Sequence, residues 1–484
     1  MALLLVLVLL TASCIITFLP VQAESRTIVV PDDYPTISSA IGNATDGDTI
    51  FVKKGTYEEN PLKINKTLSL IGEGADSTKI SFDPPYTWVE WNILQKSKVY
   101  EKPIEVDADD FVMSGFTIVT TGGLIGISGN GTKIAENIIF TFLGVSGSYL
   151  NITGNNFPNG VSISGDYSKI SANTGGEMSI NGTFCDFSLN SISGSRIKGS
   201  FSLIHDNTLT KDGFFITGKN NLVYRNIVDG AAFGLVAEGS NNTIYSNKIT
   251  NCDIGIENPV SSNIIYANYV AGNGWGVNTY DGPTATFYHN NFVGNRYQVC
   301  TILREYTVQY FDNGAEGNYW SDYQGKDANG DGVGDTPYVI DANRSDRYPL
   351  MAPFDLDSVP EELPEWLVPP TVRLITPENA TYSVANVTLE FTVNKQPSWM
   401  GYSLDGQQNV TVAGNTTLLE LSNGLHNVTV YANDTFGNMG VSETTSFNVF
   451  VPEPFPVVPV VVTSIASVSI VGAGLLVYFK KRKR

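Results

Sequence analysis

One asparagine recurs through the middle of this chain at a nearly constant interval, and that interval limits what the chain can fold into. The series is Asn137, Asn155, Asn173, Asn190, Asn207, Asn226, Asn247, Asn268 and Asn290, with steps of 17 to 22 residues. The clearest copies, Asn220-Asn221-Leu-Val-Tyr-Arg-Asn226, Asn241-Asn242-Thr-Ile-Tyr-Ser-Asn247 and Ser262-Asn263-Ile-Ile-Tyr-Ala-Asn268, repeat at 21 residues. Three residues before each Asn stands an apolar side chain: Ile134, Ile152, Ile170, Phe187, Ile204, Val223, Ile244, Ile265 and Phe287. Two residues after it the position is apolar in eight of nine units, Gly175 being the exception. Later units add a glycine–aliphatic pair, Gly234-Leu235, Gly255-Ile256 and Gly276-Val277.

A unit this short holds two or three strands of four or five residues and no helix, while a propeller blade needs about 40 residues. Stacked at the strand spacing of about 4.8 Å, such units place like residue on like. A polar residue between core positions can then bond its own copy in the next unit and a turn backbone. The expected architecture is a parallel β-solenoid. Its open ends need covering, because exposed edges recruit other chains. Pro35 to Ile41 reads as a short capping helix with Ile37, Ala40 and Ile41 on one face.

"TISSAIGNATDGDTIFVKKGTYEEN" at 36–60 and "LSLIGEG" at 68–74 resemble the start of right-handed parallel β-helix, pectate-lyase-like proteins. The Asn repeats and "GNYWSDY" at 317–323 resemble the NosD-like branch common on archaeal surfaces. The resemblance spans about residues 25–350. It implies a right-handed parallel β-helix on the cell surface and says little about chemistry.

Composition fits an acidic, turn-rich β protein. Of 484 residues, 46 are Gly and 43 Asn, and 29 Lys+Arg against 48 Asp+Glu leave a net charge of −19. That field repels phosphate backbones, so nucleic acid is excluded as a main partner. Residues 1–23 read as a signal peptide ending Val21-Gln22-Ala23. Residues 457–479 carry no charge over 23 positions, about 35 Å as a helix, and residues 480–484 are all basic. The positive-inside rule makes that tail cytoplasmic and the rest extracellular, a single-pass membrane protein. Thirteen sequons suit that side of the membrane: Asn43, Asn65, Asn130, Asn151, Asn181, Asn241, Asn343, Asn379, Asn386, Asn409, Asn415, Asn427 and Asn433. Cys185, Cys252 and Cys300, odd in number and widely spaced, suit buried core positions rather than a disulfide framework or a zinc site.

The domain reading is a parallel β-helix over 24–350, closed by a calcium loop within 318–350. A Pro- and acid-rich linker over 351–370 and an Ig-like β-sandwich over 371–450 follow, then the span. The sandwich is expected to rest on Trp399, Tyr402 and Leu425, and it reads as a spacer.

Three groups of residues could carry chemistry. Asp327, Asn329, Asp331, the Val333 carbonyl and Asp335 offer oxygens at every second position, with Gly332 sixth, as in the opening of a calcium loop. The twelfth position is Tyr338, so this is no full EF-hand, and Asp341 or Asp346 would have to complete the shell. Two residues before the Asn series, His205, Tyr224, Tyr245, Tyr266 and Tyr288 form a stripe expected to face solvent or a covering loop. It reads as either a glycan platform or plain stacking. Asp229, Glu238, Asp253 and Glu257 beside Arg225 are the weakest candidates, for a lyase or hydrolase, because their offsets from the repeat differ. A copper site is not supported: His205, His289, His426 and six scattered methionines form no cluster. The expected function is surface binding of an extracellular polysaccharide with calcium as a structural ion. A polysaccharide lyase or hydrolase, and a structural envelope component, are the alternatives.

Overall fold

The computed structural model describes residues 25–92, 95–258, 262–279, 285–300, 310–360, 366, 368–452 and 480. The expected signal peptide and membrane span lie outside these residues. Among the described residues no helix is long and apolar enough to cross a membrane. The chain divides into two units, Met1–Pro360 and Glu361–Arg484.

The first unit is an all-β parallel β-helix of the right-handed type. Its most regular face is a 13-stranded parallel sheet from Thr27–Val30 to Thr286–Tyr288, each coil supplying one strand in register with the last. A second, 23-stranded group of strands supplies the other faces. Because successive residues of a strand face opposite ways, the register turns each apolar position of the repeat into a column. Ile134, Ile152, Ile170, Phe187, Ile204, Val223, Ile244, Ile265 and Phe287 are at most 1% exposed and belong to one continuous core.

The polar series is satisfied as its spacing predicts. Asn207 is typical: its Oδ1 accepts from the Asn190 backbone N–H at 3.0 Å and from Asn190 Nδ2 at 2.9 Å. Its own Nδ2 donates to Phe187 O, His205 O and Asn226 Oδ1. The residue before each Asn from Asn137 to Asn290 is left-handed, including Ala172 (φ 55°), Leu189 (58°) and Arg225 (52°). Such a bend costs a non-glycine residue about 1–2 kcal/mol, and the ladder amides hold it in place.

Both ends of the solenoid are closed. At the start, helix Ile37–Asn43 buries Ile37, Ala40 and Ile41, is capped by Thr36, and receives the Glu59 carboxylate on the Ile37 and Ser38 amides. At the far end the last rung, Asn318, donates its backbone N–H to Asp346 at 2.7 Å. Trp320 Nε1 donates to the same oxygen at 2.8 Å, and its ring lies between Phe292 and Tyr338.

The first ten residues of the expected linker pack on the solenoid. Phe354 stacks on His289 at 4.1 Å and exchanges two hydrogen bonds with the Asn291 side chain. Val359 packs on the cluster of Leu222, Tyr224 and Tyr245. Residues 351–360 are thus a strap along the solenoid, held by side-chain contacts that no strand pattern announces.

The second unit contains a three-stranded and a six-stranded β-sheet and its own core, with Val428, Val430, Leu389 and Phe447 buried. The core differs from that expected. Leu425 is 69% exposed, because it stands on the outward phase of strand Gly424–Asn433, where His426, Val428 and Val430 point in. Trp399 and Tyr402 are only partly buried.

Candidate functional site: an axial groove on the solenoid

The same register that builds the core builds the outer surface. One outward row reads Lys63, Glu105, Gly126, Gly144, Ser162, Ser179, Arg196. Two positions on, a second row reads Asp107, Ser128, Ser146, Ser164, Asn181. Small residues in both rows leave an open groove of about 840 Å³ along the coils, with Lys63, Asn65, Lys102, Glu105 and Asp107 at one end. Lys102 Nζ donates to Glu105 Oε1 at 2.7 Å, which lowers the Glu105 pKa. Ser128 and Ser146 hydroxyls bond each other across coils at 2.8 Å.

A neighbouring groove of about 400 Å³ continues around the turn, lined by Ser164, Asn181 and Lys198 and then by Ser148, Asp166, Thr183 and Ser200. Between these rows run Gly147, Gly165, Gly182 and Gly199. A Cβ on Gly165 would stand 1.5 Å from the Gly147 carbonyl oxygen, and one on Gly199 would stand 1.6 Å from that of Gly182. Close backbone approach therefore demands glycine here, and the row leaves the groove floor bare.

The tyrosine stripe is stacked: His205–Tyr224, Tyr224–Tyr245, Tyr245–Tyr266 and Tyr266–Tyr288 lie 4.8 to 5.2 Å apart and within 11° of parallel. Tyr224 and Tyr245 are 3% and 5% exposed. Of the two coverings expected, this part of the stripe has the second, a packed segment that includes Val359. His205 is held between Asp186 and Asp206, and these carboxylates raise its pKa against the opposing effect of burial.

The acidic candidates are not drawn together. Asp229 accepts from Thr250 Oγ1 and Asn251 Nδ2, both at 2.7 Å, in a small hollow that contains none of the others. Glu257 stands on another strand, opposite Val236 and Asn278, while Arg225 is bound through two bonds to Asp206. Among the described residues no three His, Cys, Asp or Glu side chains gather to hold a metal ion.

In loop 327–335 the side chains bind the loop's own backbone. Asp327 accepts from Gly330 and Gly332 amides, Asp331 from Val333, and Asp335 from Ala328. Neither residue expected to complete a shell is available to do so. Asp341 pairs with Arg344, and Asp346 is fully buried beneath the ladder, where desolvation pushes its pKa up to about 6.

None of the 13 sequon asparagines is buried, whereas the ladder asparagines are. All three cysteines are buried and not disulfide-bonded, and burial pushes the Cys185 thiol up to about 11.

Sequence reasoning missed two features. A second ladder runs through Asn221, Asn242 and Asn263, visible as the doubled Asn of the repeats. An aromatic file, Tyr149, Tyr167, Phe184 and Phe201, directly follows the groove-lining Ser148, Asp166, Thr183 and Ser200 in sequence, with centroids 5.1 to 5.4 Å apart. Its signal was an aromatic six residues before Asn155, Asn173, Asn190 and Asn207.

Residues 125–325 match the NosD family model. That family is described as "Periplasmic copper-binding protein (NosD)". The matched segment covers both aromatic files and part of the groove, yet its residues do not fit a copper centre. His205 lies between two aspartates, His289 bonds Glu316 and stacks on Phe354, and the thiols of Cys185 and Cys252 donate to backbone oxygens. No curated protein matches the sequence. Among solved structures, the chain is similar to the A-module of Azotobacter vinelandii mannuronan C-5 epimerase AlgE6. The identity is 12%, 57% of this chain and 92% of that one are covered, and the TM-score is 0.42. A mutant of the PL6 family alginate lyase AlyGC matches at 13% identity, covering 74% of this chain and 61% of that one, with a TM-score of 0.40. The exopolygalacturonase of Thermotoga maritima matches at 9% identity over 56% and 85%, with a TM-score of 0.29.

Proposed function

We propose that this chain is a surface-anchored protein that binds an extracellular polysaccharide along its solenoid. The observation that carries this reading is the open groove floored by Gly and Ser rows. A polysaccharide offers hydroxyls at regular intervals along a line, and the groove offers Ser128, Ser146, Ser164 and Asn181 at strand spacing, also along a line. Ser128 and Ser146 line the larger groove and Ser164 and Asn181 the adjoining one, and polar groups on a concave surface are the general mark of a ligand site. The exposed sequons and the charge-free run at 457–479 support an extracellular, membrane-held setting, with residues 371–450 as an Ig-like spacer.

Calcium in loop 327–335 belongs to the same reading as a structural ion. Asp327, Asn329, Asp331, Asp335 and the Val333 carbonyl would supply its oxygens. Among the described residues no ion pair involves Asp327, Asp331 or Asp335, three carboxylates within nine residues of chain. The loop also pins the root of the strap, since Gly334 donates to Pro349 O and Met351 to Gly332 O.

The test passes immobilised neutral and acidic polysaccharides over the full chain in detergent, with and without calcium, and measures both retention and released fragments. Retention without fragments is expected. Fragments would make the protein an enzyme, and no retention on any polysaccharide would overturn the reading.

A further inference from the structure

Three of the sequons open onto the two grooves. Asn65 lines the larger groove, and Asn130 and Asn181 line the smaller one. All three residues are exposed. Asn181 continues the row of Ser128, Ser146 and Ser164. Asn130 accepts the Ser148 amide on its Oδ1 at 2.8 Å, which fixes the plane of its carboxamide. N-linked sugars attach to Nδ2, and among the described residues that atom makes no hydrogen bond in Asn65, Asn130 or Asn181. The ladder amides differ, since Nδ2 of Asn207 alone donates to three oxygens. A sugar on any of the three groove asparagines therefore breaks no bond of the fold.

A glycan attached at a groove wall cannot diffuse away from it. A short flexible tether holds its ligand at an effective concentration of about 1 mM. The groove thus meets its own attached sugar before any free one, without the loss of translational freedom that a free chain pays. The smaller groove offers that sugar the hydroxyls of Ser148, Thr183 and Ser200 and the bare backbone of Gly165 and Gly182. Asn130 and Asn181 stand three strand steps apart, about 14 Å along the axis, so a few sugars from either one span the distance. In the larger groove Asn65 sits at the end that holds Lys63 and Lys102, with Ser128 and Ser146 further along.

We infer that Asn65, Asn130 and Asn181 are modification sites that regulate the grooves. An N-linked glycan on each lies along the groove floor as a tethered ligand and shuts out free polysaccharide. This rests on the polysaccharide-binding reading above and adds its regulation. An attached glycan at ten times its own dissociation constant lowers the apparent affinity for a free one about tenfold. Sequons Asn151, Asn241 and Asn343 line neither groove, so glycans there leave binding unchanged.

The experiment compares the full chain, in detergent, from a host that adds oligomannose N-glycans and from a host that adds none. Two triple variants accompany the wild type. N65Q/N130D/N181S clears the grooves; Asp at 130 repeats Asp166, whose Oδ1 accepts a turn amide in the same way, and Ser at 181 repeats Ser164. N151Q/N241Q/N343Q clears sequons elsewhere. Glycopeptide mass reads occupancy, and α-mannosidase trimming at each sequon reads shelter. Affinity is measured for mannohexaose, cellohexaose and a polyuronate hexamer. The unmodified wild type should bind a hexamer about tenfold more tightly than the glycosylated one. In the glycosylating host, clearing the grooves should restore that affinity and clearing the other three should not. Groove glycans should also be trimmed more slowly than those at Asn151, Asn241 and Asn343. Empty groove sequons, equal affinity of the two wild types, equal rescue by both variants or equal trimming at all six sites overturns the regulation, while a bound hexamer keeps the polysaccharide reading. Binding of no hexamer by the unmodified chain removes both.

Discussion

Replacing Asn207 by Ala is expected to loosen one coil of the solenoid while the distant coils stay closed. The substitution removes five hydrogen bonds: two accepted from Asn190, and three donated to Phe187, His205 and Asn226. At about 1 kcal/mol net each the loss is about 5 kcal/mol, with 4 a fair figure if water refills the space. Asn190 and Asn226 are about 1% exposed, so their stranded groups have little other access to solvent. Each coil touches only its neighbours, so the damage should stay local. Native-state hydrogen exchange read by mass spectrometry resolves this. Peptides covering 186–229 should exchange about a thousandfold faster, since 1.4 kcal/mol is a factor of ten, while peptides covering 125–146 should not change. Asn159→Ala, which removes one bond from an exposed side chain, is the control. Exchange in 186–229 within tenfold of wild type would mean the ladder adds no more than water could.

Other outcomes follow from named residues. Asp346 titrates near 6 in the fold against about 3.9 unfolded. The folded pKa is raised, so its contribution, about 3 kcal/mol, is full below pH 4 and lost as pH climbs to 6. Asp346→Asn should flatten the stability profile across that window, and an unchanged slope would reject the assignment. Ala172→Gly relieves a left-handed non-glycine residue and should add about 1 kcal/mol, seen as a higher melting temperature; a lower one would refute the strain. Chelation should lower the melting temperature of the wild type and leave Asp331→Ala indifferent. Equal response of both would count against calcium in the loop.

What repeats was legible in the sequence, and what happens once was not. Ile134 to Phe287 and Asn137 to Asn290 each express one position nine times, so the parallel stack follows from spacing alone. The aromatic file was also periodic, but it is split between two residue types, Tyr149 and Tyr167 then Phe184 and Phe201, in the 17- and 18-residue coils. They lie outside the 21-residue copies that draw the eye. The cover on Tyr224 and Tyr245 had no periodic signal: it includes Val359, a single residue in a stretch that reads as linker. Asp346 looked like a possible ligand for calcium because of its nearness in sequence, whereas burial under Asn318 and Trp320 is a tertiary fact. Leu425 failed for a smaller reason, a strand read one residue out of phase, which turns every side chain over.

The strap also decides where a pull on this molecule would be felt. The chain runs from Leu350 past Asn291 to Val359 beside Tyr224 and Tyr245, so tension from residue 361 onward meets the strap before the last coil. The Val359 contact would peel first and the Phe354–Asn291 pair second, paying out ten residues, or about 35 Å of slack. Only after that would load reach Asp346 and the end of the ladder. A tether attached directly at Leu350 would instead tug the terminal coil open with the first jolt.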